Sequence, residues 1–186
     1  MSRPALFLDR DGVINVNHGY VHKPDNFNFI EGIFELVRIA NRAEYLVIVV
    51  TNQAGIGRDY YTEQDFLTLT DWMKDQFATH DGHIDDVYYC PYHPQHGVGD
   101  YKRESEYRKP GPGMLLQAQR EHDIDLGRSI LVGDSPSDIE AGINAGVGKL
   151  VYFGGMAAKP GVEIVSSLRQ VHAYLSNATD AVIKKC

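Results

Sequence analysis

Two carboxylates, Asp9 and Asp11, follow the apolar run Ala5-Leu6-Phe7-Leu8 with one arginine between them. In extended backbone alternate side chains share a face, so the two would point the same way. Like charges held that close repel, and a hard, oxygen-seeking cation such as Mg²⁺ would relieve them. Taken alone, the pair fits equally a strand end closed by turn-forming aspartates. Asp134, in Gly133-Asp134-Ser135, follows another apolar run and would supply a third carboxylate. Gly12 permits a tight bend directly after the pair. Thr51-Asn52 ends a third apolar run and offers a hydroxyl and N–H groups that could grip phosphoryl oxygens, or simply cap a strand. Ala54-Gly55-Ile56-Gly57 then suits a turn into a helix that presents further N–H groups. Arg108-Lys109-Pro110 precedes a helical pattern, with Pro110 fixing the chain near its start. An ammonium there could neutralise the carboxylates and a phosphate together. Such a set is suited to phosphoryl transfer.

These groups need a scaffold that gathers them. Strands are expected at Ala5–Leu8, Leu46–Val50, Val87–Tyr89, Ile130–Val132 and Leu150–Phe153, with amphipathic stretches between them. Ile33, Leu36, Val37 and Ala40 share one helical face, as do Phe66, Leu69, Met73 and Phe77, with Thr62 and Asp65 placed to cap the second helix. Met114, Leu115 and Ala118 begin a third helix, and Ile139, Ile143 and Ala145 lie in a fourth. The alternation reads as α/β with a mostly parallel sheet. Asp9, Thr51 and Asp134 then all stand at carboxyl ends of strands, where an open sheet binds its ligand. Residues 90–113, rich in proline and glycine, read as a long functional loop. The expected division is a catalytic domain over residues 1–158 and a helical tail over 159–186, carried by Leu168, Val171 and Leu175.

Composition narrows the partners. The chain has 186 residues, 43% apolar and 23% charged, with 18 basic against 25 acidic residues and a net charge of −7. That balance argues against nucleic acid or an anionic membrane as a general partner. No apolar run is long enough to span a bilayer, and there is no signal-peptide pattern, so a cytoplasmic location and a monomer are expected. Two cysteines, Cys90 and Cys186, make no disulfide framework.

Asp9-Arg10-Asp11-Gly12, Thr51-Asn52, Lys109 and Gly133-Asp134-Ser135-Pro136-Ser137-Asp138 resemble the four ordered motifs of the haloacid dehalogenase superfamily. His18-Gly19-Tyr20-Val21-His22, Thr51-Asn52-Gln53, Cys90-Pro91-Tyr92-His93-Pro94 and Arg108-Lys109-Pro110 narrow it, being similar to the heptose 1,7-bisphosphate phosphatase branch; the related histidinol-phosphatase branch shares the catalytic motifs, so a histidinol-phosphate or other small-molecule phosphatase is the alternative reading, and a catalytically silent binding protein a third. The resemblance implies a Rossmann-like parallel sheet with helices on both faces. It also implies a Mg²⁺-dependent phosphatase acting on a small phosphorylated sugar. Asp9 would be the nucleophile and Asp11 the acid and base, with Thr51 and Lys109 holding the phosphoryl group. Mg²⁺ would sit on Asp9, Asp134 and the main-chain carbonyl of Asp11. Arg10, His18, Gly19, Tyr20, Asn52, Gln53, Ala54, Arg108 and Ser135 would contact substrate, and Asp138 would support the site. About 40 residues separate Asp9 from Thr51, which a helix and its connections consume, so no separate cap domain is expected.

The sequence departs from that branch in two places. Many members pin the long loop with zinc through a Cys-x-His pair and a later Cys-x-Cys. Here Cys90 stands at the first position, but Tyr92, Ser105 and Tyr107 occupy the other three. A tetrahedral set is broken, so structural zinc is not expected, although His93 and His96 lie near Cys90. Ser135 also stands where a lysine is frequent beside the fourth-motif aspartate.

Overall fold

The computed structural model describes residues 2–155 and 159–175. The apolar runs form β1 (Ala5–Leu8), β2 (Leu46–Asn52), β3 (Asp86–Cys90), β4 (Ile130–Gly133), β5 (Lys149–Phe153) and β6 (Val162–Val165). They make one six-stranded sheet in the order β3-β2-β1-β4-β5-β6, with every pairing parallel. A central parallel strand is covered on both faces, which is why β1 is apolar throughout and 0% exposed at each of its four residues.

The helices are α1 (Ile33–Arg42), a single turn α2 (Ala54–Gly57), α3 (Glu63–Thr79), α4 (Gly113–His122) and α5 (Pro136–Ala145). Leu6 and Leu8 of β1 pack with α1 and α3 on one face, while Ala5 and Phe7 pack with α4 and α5 on the other. The period-two alternation of the strand thus builds two core layers from one run. Each fully buried Phe or Leu there contributes about 1.5–3 kcal/mol. Thr62 and Asp65 cap α3 reciprocally, as the sequence suggests.

The sheet differs from the sequence expectation at its edge. Residues 159–175, expected as a helical tail, instead give β6 and a 3-10 stretch, Leu168–Tyr174. Leu168 and Val171 are fully buried in the layer that holds α1, so this segment is part of the same core. Residues 176–186, the rest of the expected tail, lie outside the described residues. In α5 the buried face runs through Ile139, Ala141 and Gly142, leaving Ile143 exposed. Gly142 is where a Cβ would overlap Leu150, so helix and strand approach too closely for a larger residue. Among the described residues no folded unit is inserted between β1 and β2 or between β2 and α4 beyond the elements named and short 3-10 turns.

Candidate active site

The strand order reverses between β1 and its two neighbours, β2 and β4, and the polar residues that end these strands meet there. The backbone N–H of Asp9 donates to Val132 at 3.1 Å, so the nucleophile candidate is registered against β4. Its Oδ1 accepts from the N–H of Arg10 at 2.7 Å and lies 2.9 Å from Lys109 Nζ. Lys109 is buried just ahead of α4. Its ammonium also donates to the Val50 carbonyl at 2.8 Å and lies 2.6 Å from Asp138 Oδ1. Asp138 is 1% exposed, and its Oδ2 accepts from the Ser135 N–H and hydroxyl, capping α5. Burial alone would push Lys109 down, yet Asp9 and Asp138 outweigh it and hold the ammonium above its ordinary range. The Asp138 carboxylate is thus shared between Lys109 and the cap of α5.

Asp11 is held from three sides. Arg10 Nε and Nη2 reach its Oδ2 at 3.1 and 2.8 Å, Asn15 Nδ2 reaches Oδ1 at 3.0 Å, and Gln53 Nε2 reaches Oδ2 at 3.1 Å. Gln53 also donates to Thr51 Oγ1 at 2.8 Å and accepts from the Tyr61 hydroxyl, so Asp11 and Thr51 are tied through one amide. Burial pushes the Tyr61 phenol up to about 12, which keeps it a donor to Gln53. Arg10, expected to contact substrate, has its side chain outside the cavity lining. It is 1% exposed, its Nη2 donates to the Val21 carbonyl at 2.7 Å, and it lies 6.0 and 5.7 Å from the rings of Phe27 and Phe66. A guanidinium so enclosed is placed to orient Asp11.

Above these groups opens a cavity of about 440 Å³, a size ordinary for a small-molecule site. Asp9, Asp11, Thr51, Lys109, Asp134, Gly19, Tyr20, Asn52, Gln53, Ala54, Arg108 and Ser135 all line it, as the sequence suggests. His18 does not. It is exposed and bonded to Asn28 at 2.9 Å, and Asn17 lines the cavity instead. The turn around Gly19 and Tyr20, both with positive φ, offsets the loop by one residue. Asn17, Gly55, Tyr61 and Ser137 also line the cavity and were not expected there, and Asp138, expected as a support, borders it too. Only the nearness of Gly55 and Ser137 to motif residues hints at them in the sequence.

A divalent cation fits this site. Asp9, Asp134 and Asp138 each bring a carboxylate oxygen within 4.8 Å of the others. With Asp138 committed to Lys109 and Ser135, Asp9 and Asp134 remain for a metal. Burial, opposed by Lys109 and reinforced by the neighbouring aspartates, pushes Asp9 up to about 7; burial and Asp138 push Asp134 up to about 6. Carboxylates so poorly compensated, with oxygen as the only donor type, suit Mg²⁺. Gly12 has φ +101° and sits where any Cβ would overlap Asp134 Oδ2, so its lack of a side chain leaves room for that carboxylate. The side chain of Asp11 is occupied by its three donors, which leaves its main-chain carbonyl as its possible contribution.

The HAD-hydrolase-like family model matches residues 106–178. Over 148 residues the chain is 62% identical to the D-glycero-alpha-D-manno-heptose-1,7-bisphosphate 7-phosphatase of Burkholderia mallei, covering 80% of this chain and 78% of that one. The chain belongs to the heptose 1,7-bisphosphate 7-phosphatase family of HAD-like hydrolases. A second member, the D-glycero-beta-D-manno-heptose-1,7-bisphosphate 7-phosphatase of Vibrio cholerae, is 46% identical over 183 residues, 94% of this chain and 97% of that one. The crystal structure of D,D-heptose 1,7-bisphosphate phosphatase from B. bronchiseptica, complexed with magnesium and phosphate, superposes with a TM-score of 0.80 at 27% identity, covering 92% of this chain and 97% of that one.

Within the family fold, the long loop of this chain is held by aromatic and ionic contacts. Tyr101 and Tyr89 both donate to Glu63, at 2.7 and 2.6 Å, tying loop and strand to α3. Arg103 stacks 3.8 Å from the Tyr92 ring centroid, and Tyr92 and Tyr107 pack on the α4–α5 core layer. Cys90 is buried, and burial pushes its thiol up despite nearby donors. His93 Nδ1 accepts from the N–H groups of Gln95 and His96, at 3.2 and 3.1 Å, which closes a turn. Among the described residues no helix is long and apolar enough to cross a membrane.

Proposed function

We propose that this protein hydrolyses the 7-phosphate of D-glycero-D-manno-heptose 1,7-bisphosphate, using Asp9 as nucleophile and Mg²⁺ as cofactor. One observation carries the reading: a buried lysine clamps the Asp9 carboxylate beside a second unclamped aspartate, Asp134, at the mouth of a sugar-sized cavity. The names of the relatives supply the substrate, and the magnesium bound to the B. bronchiseptica enzyme supports the cofactor. Asp9, Asp134 and the Asp11 carbonyl would hold the ion. When bound, it neutralises phosphoryl charge and keeps Asp9 ionised.

In the first step a carboxylate oxygen of Asp9 bonds to phosphorus as the bond from phosphorus to the sugar O7 breaks. Oδ1 is held by Arg10 N–H and Lys109, which fixes the direction of the other oxygen. Asp11 acts as the general acid and gives a proton to O7. In the second step water attacks the phosphorus of the aspartyl phosphate, Asp11 takes a proton from it, and Asp9 is released with inorganic phosphate. The donors from Arg10, Asn15 and Gln53 fix the direction of the Asp11 carboxyl in both steps. Thr51 and Lys109 grip the phosphoryl oxygens, and Gly19, Tyr20, Asn52, Gln53, Ala54, Arg108 and Ser135 contact the sugar.

The 62% identity with an alpha-anomer enzyme, against 46% with a beta-anomer one, favours the alpha anomer. We take the protein to be a cytoplasmic monomer that holds its long loop without zinc. Phosphate release is the test, from both heptose bisphosphate anomers, fructose bisphosphate and histidinol phosphate, with and without Mg²⁺. The alpha heptose substrate should lead by at least tenfold in kcat/KM, with Mg²⁺ required. Equal rates on all four, or a lead for histidinol phosphate, would overturn the substrate. Stoichiometric zinc in protein purified without added metal would overturn the zinc-free loop.

A further inference from the structure

Glu63, the first residue of α3, lies outside the catalytic cavity, yet its carboxylate gathers two other parts of the fold. Its Oε2 accepts from the Tyr89 hydroxyl at 2.6 Å and its Oε1 from the Tyr101 hydroxyl at 2.7 Å. Each oxygen serves one phenol, and among the described residues no ion pair includes Glu63. The two bonds hold its carboxyl below the ordinary range. Hydrogen bonds to an ionised acceptor are roughly twice as strong as neutral ones. Tyr89 belongs to β3 and Tyr101 to the long loop, and both rings pack on the cluster of Ile56, Tyr61 and Phe66. Tyr61 in turn donates to Gln53, so the anchor lies directly beneath the active site.

Tyr101 carries the loop with it. Its carbonyl accepts from the His93 N–H at 3.0 Å, and the Val98 N–H donates to the Gly57 carbonyl at 2.7 Å, so this part of the loop folds back on α2. The Tyr92 carbonyl, next to that turn, accepts from Nη1 of Arg108, which lines the cavity, at 3.3 Å. Beyond Arg108 the chain is pinned separately. The Asn52 side chain bonds the N–H and the carbonyl of Lys109 at 3.0 and 3.1 Å, and the Lys109 ammonium is fixed by Asp9 and Asp138. A slack loop would therefore displace Arg108 and leave Lys109 in place. Cys90, Tyr92, Ser105 and Tyr107 stand where zinc would tie this loop, and one thiol with three hydroxyls does not suit that metal, so another tether is needed.

We propose that Glu63 is a positioning residue for substrate binding: by holding Tyr89 and Tyr101 it sets the long loop, and through Tyr92 it places Arg108 against the sugar. This rests on the sugar-bisphosphate reading above. Steady-state kinetics on heptose 1,7-bisphosphate and hydrogen exchange of the loop amides test it, for wild type, Glu63→Ala, Glu63→Gln, Tyr101→Phe and the double variant Glu63→Ala/Tyr101→Phe. Glu63→Ala and Tyr101→Phe should each raise KM about fivefold with kcat kept within about threefold, because Arg108 shifts and Lys109 does not. Glu63→Gln, which keeps one acceptor oxygen, should recover part of the loss. The double variant should lie within about twofold of the worse single one, since both remove the same bond. Exchange at the His93 and Val98 amides should quicken about tenfold in Glu63→Ala, while the β1 amides keep their wild-type rates. A merely structural Glu63 would lower stability and leave KM where it is, and that result would overturn the proposal. So would a loss in kcat with KM unchanged, fully multiplicative effects of the two substitutions, or wild-type exchange in the loop. A wild type inert on heptose 1,7-bisphosphate would overturn the functional reading; the exchange rates, which need no substrate, would still show whether Glu63 holds the loop.

Discussion

Replacing Lys109 with Met removes a positive charge from between two carboxylates that water barely reaches. The Lys109 side chain is 3% exposed, Asp138 2% and Asp9 12%, with contacts of 2.6 and 2.9 Å. Met keeps the volume but leaves Asp138 a buried charge and the Val50 carbonyl without its donor. Removing one partner of such a pair costs about 3–5 kcal/mol. That is a large share of the roughly 5–15 kcal/mol that holds a domain together. The expected loss in Tm is roughly 6–20 °C for a chain of this size. A double-mutant cycle separates charge from packing. Asp138→Asn should destabilise the wild type but stabilise the Lys109→Met protein by about 1–3 kcal/mol, because it neutralises the stranded carboxylate. Urea titrations in metal-free buffer at pH 8 provide the four stabilities. If Lys109→Met stayed within about 1 kcal/mol of wild type, or Asp138→Asn cost the same in both backgrounds, Lys109 would not be clamped as described.

Gly12→Ala should weaken Mg²⁺ activation at least tenfold, because the new methyl overlaps Asp134 Oδ2 and the backbone there has φ +101°; an unchanged Mg²⁺ dependence in an activity titration would show that Asp134 does not hold the metal. Metal binding should depend on pH, since Asp9 and Asp134, raised to about 7 and about 6, must both be ionised to bind a cation. Calorimetry in buffers of different ionisation enthalpy should show proton release on Mg²⁺ binding at pH 6 and none at pH 8.5. The same raised carboxyls bind more protons folded than unfolded between about pH 4 and 7, so metal-free protein should lose stability as pH rises through that window and no further. Arg10→Lys should lower kcat about a hundredfold with little change in KM, because a single ammonium cannot hold both Asp11 and the Val21 carbonyl; a rise in KM alone would return Arg10 to the substrate.

The gathering of Asp9, Thr51, Lys109 and Asp134 at one cavity was legible because these residues sit next to signals that sequence carries well. Asp9, Thr51 and Asp134 each follow an apolar run, and the runs are the central strands. The places that sequence misread depend on contacts made at long range. Arg10 has the polarity of a ligand-binding residue, and nothing nearby in sequence announces that Phe27, Phe66 and the Val21 carbonyl will enclose it. His18 and Asn17 exchange places because positive-φ backbone at Gly19 and Tyr20 turns the loop, which composition does not specify residue by residue. The strand β6 is an edge strand of four residues with one fully buried position, too short a pattern to outweigh the helical spacing that follows it.

The most direct test of Asp9 as the nucleophile is rapid acid quenching during turnover of substrate labelled in its 7-phosphate, followed by peptide mapping. Labelled phosphorus should appear on the peptide that contains Asp9 within the first turnover and disappear as phosphate is released. Full-rate product formation with no labelled protein, or with the label on another residue, would contradict the account.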